Sequence, residues 1–93
     1  MEKALWYLLA GTRGGETRAR IICALDERPR NANQLAETLE LEYNTIRYHL
    51  ELLEDHDVLE PGEQDYGTMY FLTDRFEGHR EAFEGILENV EIP

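Results

Sequence analysis

The stretch Asn31–Leu59, NANQLAETLELEYNTIRYHLELLEDHDVL, decides the fold expected for this chain. Its apolar residues recur every three or four positions, which predicts two short amphipathic helices. The first helix begins at Asn31, because Gln34 three residues later completes a capping box that satisfies two backbone N–H groups. The second helix spans about residues 43–55, and Glu40-Leu41 form the turn between the two helices.

The second of these helices has two chemically different faces. At 100° per residue, four side chains share a face that is expected to pack inward: Ile46, His49, Leu50 and Leu53. The opposite face is polar and carries Asn44, Arg47, Tyr48 and Glu51. The helix is therefore predicted to pack on one side and to present hydrogen-bonding groups on the other.

Two strand-like segments follow the helices. They run from Val58 to Pro61 and from Thr68 to Thr73, and both are rich in residue types that favour strands. The stretch GEQDYG between them is typical of a turn. Tyr70 and Leu72 alternate onto one face, which is expected against the core. Helix, turn, helix and hairpin, in this order, are typical of a winged helix-turn-helix domain that binds double-stranded DNA.

Further helices are predicted on both sides of this unit, over about residues 3–10 and 16–27, with a last helix starting at Asp74. Glu77 completes a capping box there. Arg18 lies on the inner face of the second helix, and we expect its stem along the core and its charged head in water. The fold class is mostly α with a small β-hairpin, in a single domain of 93 residues. Its predicted parts are an N-terminal helix (1–11), a winged-helix core (16–73) and a C-terminal dimerisation helix (74–91).

The last helix carries an apolar stripe. Phe76, Phe83 and Val90 recur every seven residues, with Ile86 and Leu87 between them. This stripe is longer than a small core requires, so it suggests a partner helix, most simply from a second copy of the chain.

The net charge of −11 argues against a nucleic-acid partner, because binding to DNA depends on Lys and Arg neutralising phosphates. Five of the nine basic residues, however, lie between Arg13 and Arg30, among only three acids. Lysine occurs once, at position 3. An acidic surface poor in lysine favours a halophilic protein from a salt-saturated cytoplasm. The alternative is an ordinary acidic domain that binds protein.

Length and cysteine usage limit the remaining classes. No apolar run approaches the roughly 20 residues needed to cross a bilayer, so we expect no membrane association. The lone cysteine, Cys23, can form no internal disulfide and is expected to be a small core residue. We expect a cytoplasmic protein.

Three stretches resemble the ArsR-like group of winged-helix transcriptional regulators, in particular their compact acidic haloarchaeal versions: ETRARIICAL, NANQLAETLELEYNTIRYHLELLEDHDVLE and TMYFLTD. The resemblance covers nearly the whole chain. It implies a transcriptional regulator that binds an inverted-repeat operator as a homodimer. The two copies are expected to pair through their N- and C-terminal helices. It places the base contacts on the early turns of the second helix, at Tyr43, Asn44, Thr45, Arg47 and Tyr48.

The chemistry of these side chains agrees with that placement. An asparagine amide can pair with adenine and a guanidinium with guanine, each worth about 1–3 kcal/mol of discrimination. Other roles remain open: an ion pair of Arg47 with Glu51, a merely exposed ring for Tyr48, and core packing for Tyr43.

Four arginines are candidate phosphate anchors: Arg13, Arg18, Arg20 and Arg30. The alternative is that they neutralise a crowded acidic surface. Glu40 and Glu42 depart from the family pattern, which has Gly at the turn and Ser or Thr at the helix start. The wing tip GEQDYG lacks Lys and Arg, so it is a weak candidate for entering a groove and a possible contact surface for a protein.

The ArsR-like group includes metal sensors, but paired cysteines are missing from this sequence. His49 falls on the packed face and is expected to be a hydrogen-bonded structural histidine, while His56 and His79 lie beside acids on the surface. We therefore expect no metal site and no cofactor. The sequence has no nucleophile elbow, phosphate-binding loop or zinc-peptidase motif, and its acids show no pairing around a predicted cleft, so we expect no catalysis. The alternative function is a winged-helix protein–protein interaction module without DNA binding.

Overall fold

The computed structural model describes residues 1–63 and 67–90, so three of the six residues of the wing tip (64–66) lie outside the described residues, and with them the expectation about this tip. At the start of the chain, α1 spans Glu2–Trp6 and continues as a π-helical turn over Tyr7–Gly11. The remaining helices are α2 (Gly15–Glu27), α3 (Ala32–Leu39), α4 (Tyr43–Asp55), α5 (Asp74–Glu77) and α6 (Arg80–Asn89). The strands are β1 (Arg30–Asn31), β2 (Leu59–Pro61) and β3 (Met69–Leu72). The predicted fold class, mostly α with a small antiparallel sheet, is confirmed.

The sheet has three strands where the sequence predicted two. Its order is β1-β3-β2, and both pairings are antiparallel. The central strand places Tyr70 opposite Arg30 on one side and opposite Pro61 on the other. β1 has only two residues, too few for any alternation of apolar and polar side chains to reveal it. Because β1 directly precedes α3 and pairs with β3, it links the hairpin to the start of α3.

The capping box at the start of α3 is confirmed. The Gln34 N–H donates to Asn31 Oδ1 at 2.8 Å, and the Asn31 N–H donates to Gln34 Oε1 at 2.9 Å. At the other end of α3, Glu40 adopts the left-handed conformation with φ 56°. The Leu41 N–H then donates to the Ala36 carbonyl at 2.9 Å, which closes the helix and turns the chain toward α4.

The pair Gly14-Gly15 brings the N-terminal segment close to α2. Gly14 has φ 88°, a conformation that side chains disfavour. A Cβ atom on Gly15 would lie 2.1 Å from the carbonyl oxygen of Leu9, so only glycine permits this approach. Leu5, Leu8 and Leu9 of this N-terminal segment are buried in the core.

The start of the last helical region differs from the prediction. The N-cap is Thr73, whose hydroxyl accepts from the Phe76 N–H at 3.0 Å, so the capping box assigned to Asp74 is wrong. Thr73 is buried at the end of β3, and its hydroxyl also donates to the Asp57 carbonyl at 2.6 Å. The Glu77 carboxylate bonds to Arg80 instead of a backbone N–H. The helix is also interrupted at Gly78, between α5 and α6.

The apolar stripe of this region is largely used within the chain. Phe76, Phe83 and Ile86 are buried in the core, while Leu87 and Val90 are half-buried against it. α6 packs on α1, and the rings of Phe76 and Phe83 meet edge to face at 5.3 Å. The length of this stripe is therefore no argument for a partner helix, because contacts within the chain bury most of it. The homodimer stays a prediction.

Candidate nucleic-acid interface

The two faces of α4 are separated as predicted. Ile46, His49, Leu50 and Leu53 are buried, which fixes the orientation of the helix on the core. Tyr43, Asn44 and Tyr48 are exposed, and Thr45 and Arg47 are half-buried. Tyr48 is the most open of these aromatic side chains, with 62% of its surface exposed. Core packing, the alternative considered for Tyr43, does not describe a ring that is about half exposed.

The N-terminus of α4 has Glu42 as its N-cap residue, with an extended backbone and no side-chain hydrogen bond to the helix. The backbone N–H of Ile46 is the first to bond within the helix, to the Glu42 carbonyl at 3.1 Å. Tyr43 and Asn44 thus stand on the turn of a helix where backbone N–H groups normally need an outside acceptor. This is the end of the helix that carries the predicted base-contacting residues.

Arg47 has two partners within the protein. Its Nη1 donates to the hydroxyl of Tyr70 on β3, and its Nη2 lies 3.6 Å from Glu51 Oε1 one turn along the helix. The ion pair with Glu51 is one of the roles that the sequence predicts for Arg47, whereas no sequence pattern predicts the contact with Tyr70. Arg47 retains 36% side-chain exposure, so part of the guanidinium remains open to solvent.

Arg47 also lines an open pocket of about 90 Å³ between α4, the start of α3 and β3. The lining is mostly polar and consists of Asn31, Ala32, Asn33, Tyr43, Arg47, Gly67, Thr68 and Tyr70. The pocket joins the two helices of the helix-turn-helix to the inner strand of the wing.

Arg18 lies in the interior, contrary to the expectation that its head is in water. Only 1% of the residue is exposed. Its guanidinium donates to the carbonyls of Leu8 (2.7 Å) and Arg13 (2.9 Å), to Thr12 Oγ1 (2.6 Å) and to His49 Nδ1 (3.1 Å). The role of phosphate anchor is withdrawn for Arg18, because its donors are already bonded inside the protein.

His49 is a hydrogen-bonded structural histidine, as expected. Because Arg18 can only donate, His49 Nδ1 must accept, which places the proton of the neutral ring on Nε2. Burial, and secondarily the positive charge of Arg18, lower the pKa of His49. The pair joins α2 to the inner face of α4.

Of the other three candidate phosphate anchors, Arg30 is buried like Arg18, whereas Arg13 and Arg20 are accessible to solvent. Arg30 is buried, and it donates to the Ala24 carbonyl at 3.0 Å and to Thr38 Oγ1 at 3.2 Å, so we withdraw its anchor role as well. Arg13 is exposed and Arg20 half-buried. Those two remain the candidate anchors of this segment.

Cys23 is exposed on α2, so the prediction of a core cysteine is wrong. The inner face of α2 is filled by its larger neighbours, Ile21, Ile22 and Leu25. Desolvation and then the nearby charges of Asp26 and Glu27 raise the pKa of the thiol. Nowhere in residues 1–63 and 67–90 do three His, Cys, Asp or Glu side chains gather as a metal site would require. Over the same residues, no helix has the length and apolar character needed to span a membrane.

The comparisons with known proteins agree with this architecture. A family described as a helix-turn-helix domain matches residues 16–61, which cover α2 through β2. The fold is a winged helix-turn-helix. No curated protein matches the sequence at a significant level.

Solved structures share the fold at low sequence identity. A probable transcriptional regulator from Pseudomonas aeruginosa is 19% identical, with a TM-score of 0.71 over 94% of this chain and 69% of that chain. ZitR from Lactococcus lactis, solved in complex with DNA, is 15% identical, with a TM-score of 0.61 over 80% of this chain and 57% of that chain. The adhesin competence repressor AdcR from Streptococcus pyogenes is 18% identical, with a TM-score of 0.62 over 78% and 58%. The chain thus spans a little over half the length of ZitR and AdcR.

Proposed function

We propose that this protein is a sequence-specific DNA-binding transcriptional regulator that recognises an inverted-repeat operator as a homodimer. The observation that carries the proposal is the polar face of α4. This face holds Asn44 and Tyr48 open to solvent, with Tyr43 exposed beside them, while the opposite face is buried in the core. In helix-turn-helix proteins the second helix enters the major groove, where such side chains reach base edges.

We further propose roles for individual side chains. Asn44 and Arg47 contact bases, with Thr45, Tyr43 and Tyr48 contacting bases or phosphates beside them. Arg13 and Arg20 approach the phosphate backbone. In a homodimer, the two α4 helices would enter successive major grooves about 34–36 Å apart, which is why the operator should be an inverted repeat.

The net charge of −11 is compatible with this function in concentrated salt. The Debye length is about 3 Å in 1 M salt, so repulsion between the acidic surface and the phosphates is almost fully screened. Affinity would then depend on base contacts and shape more than on release of counterions. We therefore propose that the protein is an ArsR-like regulator of haloarchaeal type that acts in a salt-rich cytoplasm.

A second candidate function is a protein-interaction module without DNA binding. It is favoured by exposed aromatic side chains outside α4, namely Trp6, Tyr7 and Phe71. Phe71 lies on the outer face of β3, where it offers a protein partner an apolar contact on the wing.

The experiment that separates the two functions is selection of duplexes from a random-sequence library at 2 M KCl, followed by gel shifts. The regulator predicts enrichment of an inverted repeat, and Asn44→Ala and Arg47→Ala should each weaken binding about 5- to 150-fold. Arg75→Ala is the matched control, because Arg75 is 59% exposed on α5 and pairs with Asp57 just beyond the C-terminal end of α4, whereas the proposed base contacts lie on its first turns. Absence of any enriched sequence, with a stable complex formed with another protein, would favour the interaction module.

A further inference from the structure

We propose that Tyr70 is a positioning residue for DNA recognition, because its hydroxyl holds the guanidinium of Arg47 in place before DNA arrives. The wing would then contribute to binding through its inner strand β3. This inference rests on the proposed function, since it concerns how Arg47 is presented to a duplex.

The contact itself is between two different parts of the fold. Arg47 Nη1 donates to the Tyr70 hydroxyl, 23 residues further along the chain, while Nη2 approaches Glu51 on the same helix. Two partners, one at each terminal nitrogen of the guanidinium, restrict rotation of a side chain that otherwise has several free torsions. The remaining 36% exposure leaves donors of the guanidinium available to an incoming acceptor.

Tyr70 is well anchored for this task. Only 4% of the residue is exposed, and it lies in the central strand of the sheet, between Arg30 on β1 and Pro61 on β2. Arg30 is itself buried and bonded to the Ala24 carbonyl. The hydroxyl of Tyr70 is therefore presented from a fixed strand rather than from a loop.

The surroundings place this pair where a duplex would be read. Arg47 and Tyr70 both line the open pocket, together with Tyr43 at the start of α4 and Asn31 at the start of α3. An acceptor that enters from the α4 side would thus meet an arginine already held by the wing strand.

The size of the effect follows from side-chain ordering. Immobilising one flexible side chain on binding costs about 0.5–1.5 kcal/mol, which corresponds to about two- to twelvefold in affinity. Tyr70→Phe keeps the buried ring and removes only the hydroxyl, so we expect it to weaken binding to a selected duplex by about that factor. Binding to a scrambled duplex should change much less, because phosphate contacts tolerate a mobile arginine.

The test uses a duplex that the wild-type protein selects from a random library, with Tyr7→Phe as matched control. Tyr7 is an exposed tyrosine near α1, so its variant loses a hydroxyl away from the pocket. A double-mutant cycle with Arg47→Ala supplies the diagnostic readout. Tyr70→Phe should have no further effect once Arg47 is absent, whereas a purely structural role of Tyr70 would persist in that background. Wild-type affinity in Tyr70→Phe, or an unchanged effect in the Arg47→Ala background, would overturn the inference.

A measurement without DNA separates this inference from the proposed function. We expect the Nε–H group of Arg47 in the wild-type protein to show a rigid ¹⁵N relaxation signature, and the exposed Arg75 to show a mobile one. If Arg47 is as mobile as Arg75, the inference fails whether or not the protein binds DNA. If Arg47 is rigid but the wild-type protein selects no duplex, the proposed function fails and the recognition role of Tyr70 fails with it.

Discussion

Two arginines, Arg18 and Arg80, each join helices that are far apart in the sequence, by opposite means. Arg18 lies in the interior and donates to two carbonyls, a hydroxyl and an imidazole nitrogen. Arg80 lies at the surface and pairs with Asp26 of α2, at 2.8 Å, and with Glu77 of α5, at 2.7 Å. Its guanidinium also lies over the Phe76 ring, 5.9 Å from the centroid.

The difference shows where this small fold concentrates its polar stabilisation. The carboxylates around Arg80 raise its pKa, and the Arg80 guanidinium in turn lowers the pKa of Asp26. Both Asp26 and Glu77 can nevertheless return to water if the arginine is lost. The acceptors around Arg18 are largely enclosed, and burial lowers the pKa of Arg18 itself. An unpaired group in water costs little, whereas an unpaired group in the interior costs about 1–3 kcal/mol.

The largest effect is therefore expected at Arg18. Arg18→Met should reduce the free energy of unfolding by about 3 kcal/mol, because the Leu8 carbonyl and His49 lose their donor inside the core. Denaturant unfolding at pH 7.5 measures this. Arg80→Met is the matched control, and should cost less than about 1 kcal/mol because its partners are solvated. Equal losses in the two variants would contradict the contrast drawn between these arginines.

A second test concerns Gly14, where the backbone passes close to the buried side chains of Arg18 and His49. Gly14→Ala should lower the free energy of unfolding by about 2 kcal/mol. Its left-handed backbone disfavours a side chain, and the new Cβ atom would lie 2.8 Å from His49 Cε1. The change in melting temperature gives the effect. Gly85→Ala, on α6, serves as the control and should be neutral or stabilising, because no atom outside its helix lies within 4 Å of its added Cβ.

A smaller effect on stability is expected from protonation of His49 as the pH falls. Because the folded-state pKa of His49 is lowered, the unfolded chain binds a proton first as the pH falls. The contribution to stability should be complete above the ordinary pKa of about 6.5 and decline from there down to the lowered folded value. His49→Gln keeps an acceptor for Arg18 without titrating. The free energy of unfolding should therefore fall less for His49→Gln than for the wild type between pH 7.5 and 5.5. Equal decreases in the two proteins would contradict this prediction.

The smallest effect concerns salt at Arg80. Raising KCl from 0.1 to 2 M should reduce the stability difference between the wild type and Arg80→Gln to near zero, since these charges are partly exposed and easily screened. The difference between the wild type and Arg18→Met should persist over the same range, because it comes from hydrogen bonds in the interior. Unfolding curves at both salt concentrations provide the comparison.

Much of the fold follows from short-range sequence patterns. The Asn31–Gln34 capping box and the packed face of α4 are as predicted, because they depend on spacing within one or two helical turns. The polar face of α4 was predictable for the same reason. These are the parts of the molecule whose partners lie nearby in sequence.

The rest depends on contacts that spacing does not encode. A long side chain on an inner face, such as Arg18, can either reach water or bury its head, and the outcome here depends on carbonyls presented by the segment after α1. The pairing of Arg47 with Tyr70 likewise requires knowing that the fold brings the Tyr70 hydroxyl on β3 within reach of α4. The prediction of a buried Cys23 is wrong because a small side chain at the edge of the inner face of a helix can be either buried or exposed.

The strand order β1-β3-β2 also sets how quickly different parts of the wing open. A central strand shares its ladder with neighbours on both edges, whereas the outer strands are bonded along one edge only. Amide hydrogens of β3 should consequently exchange with deuterated solvent more slowly than those of β1 or β2. The slowest-exchanging backbone of the wing would then be the strand that carries Tyr70.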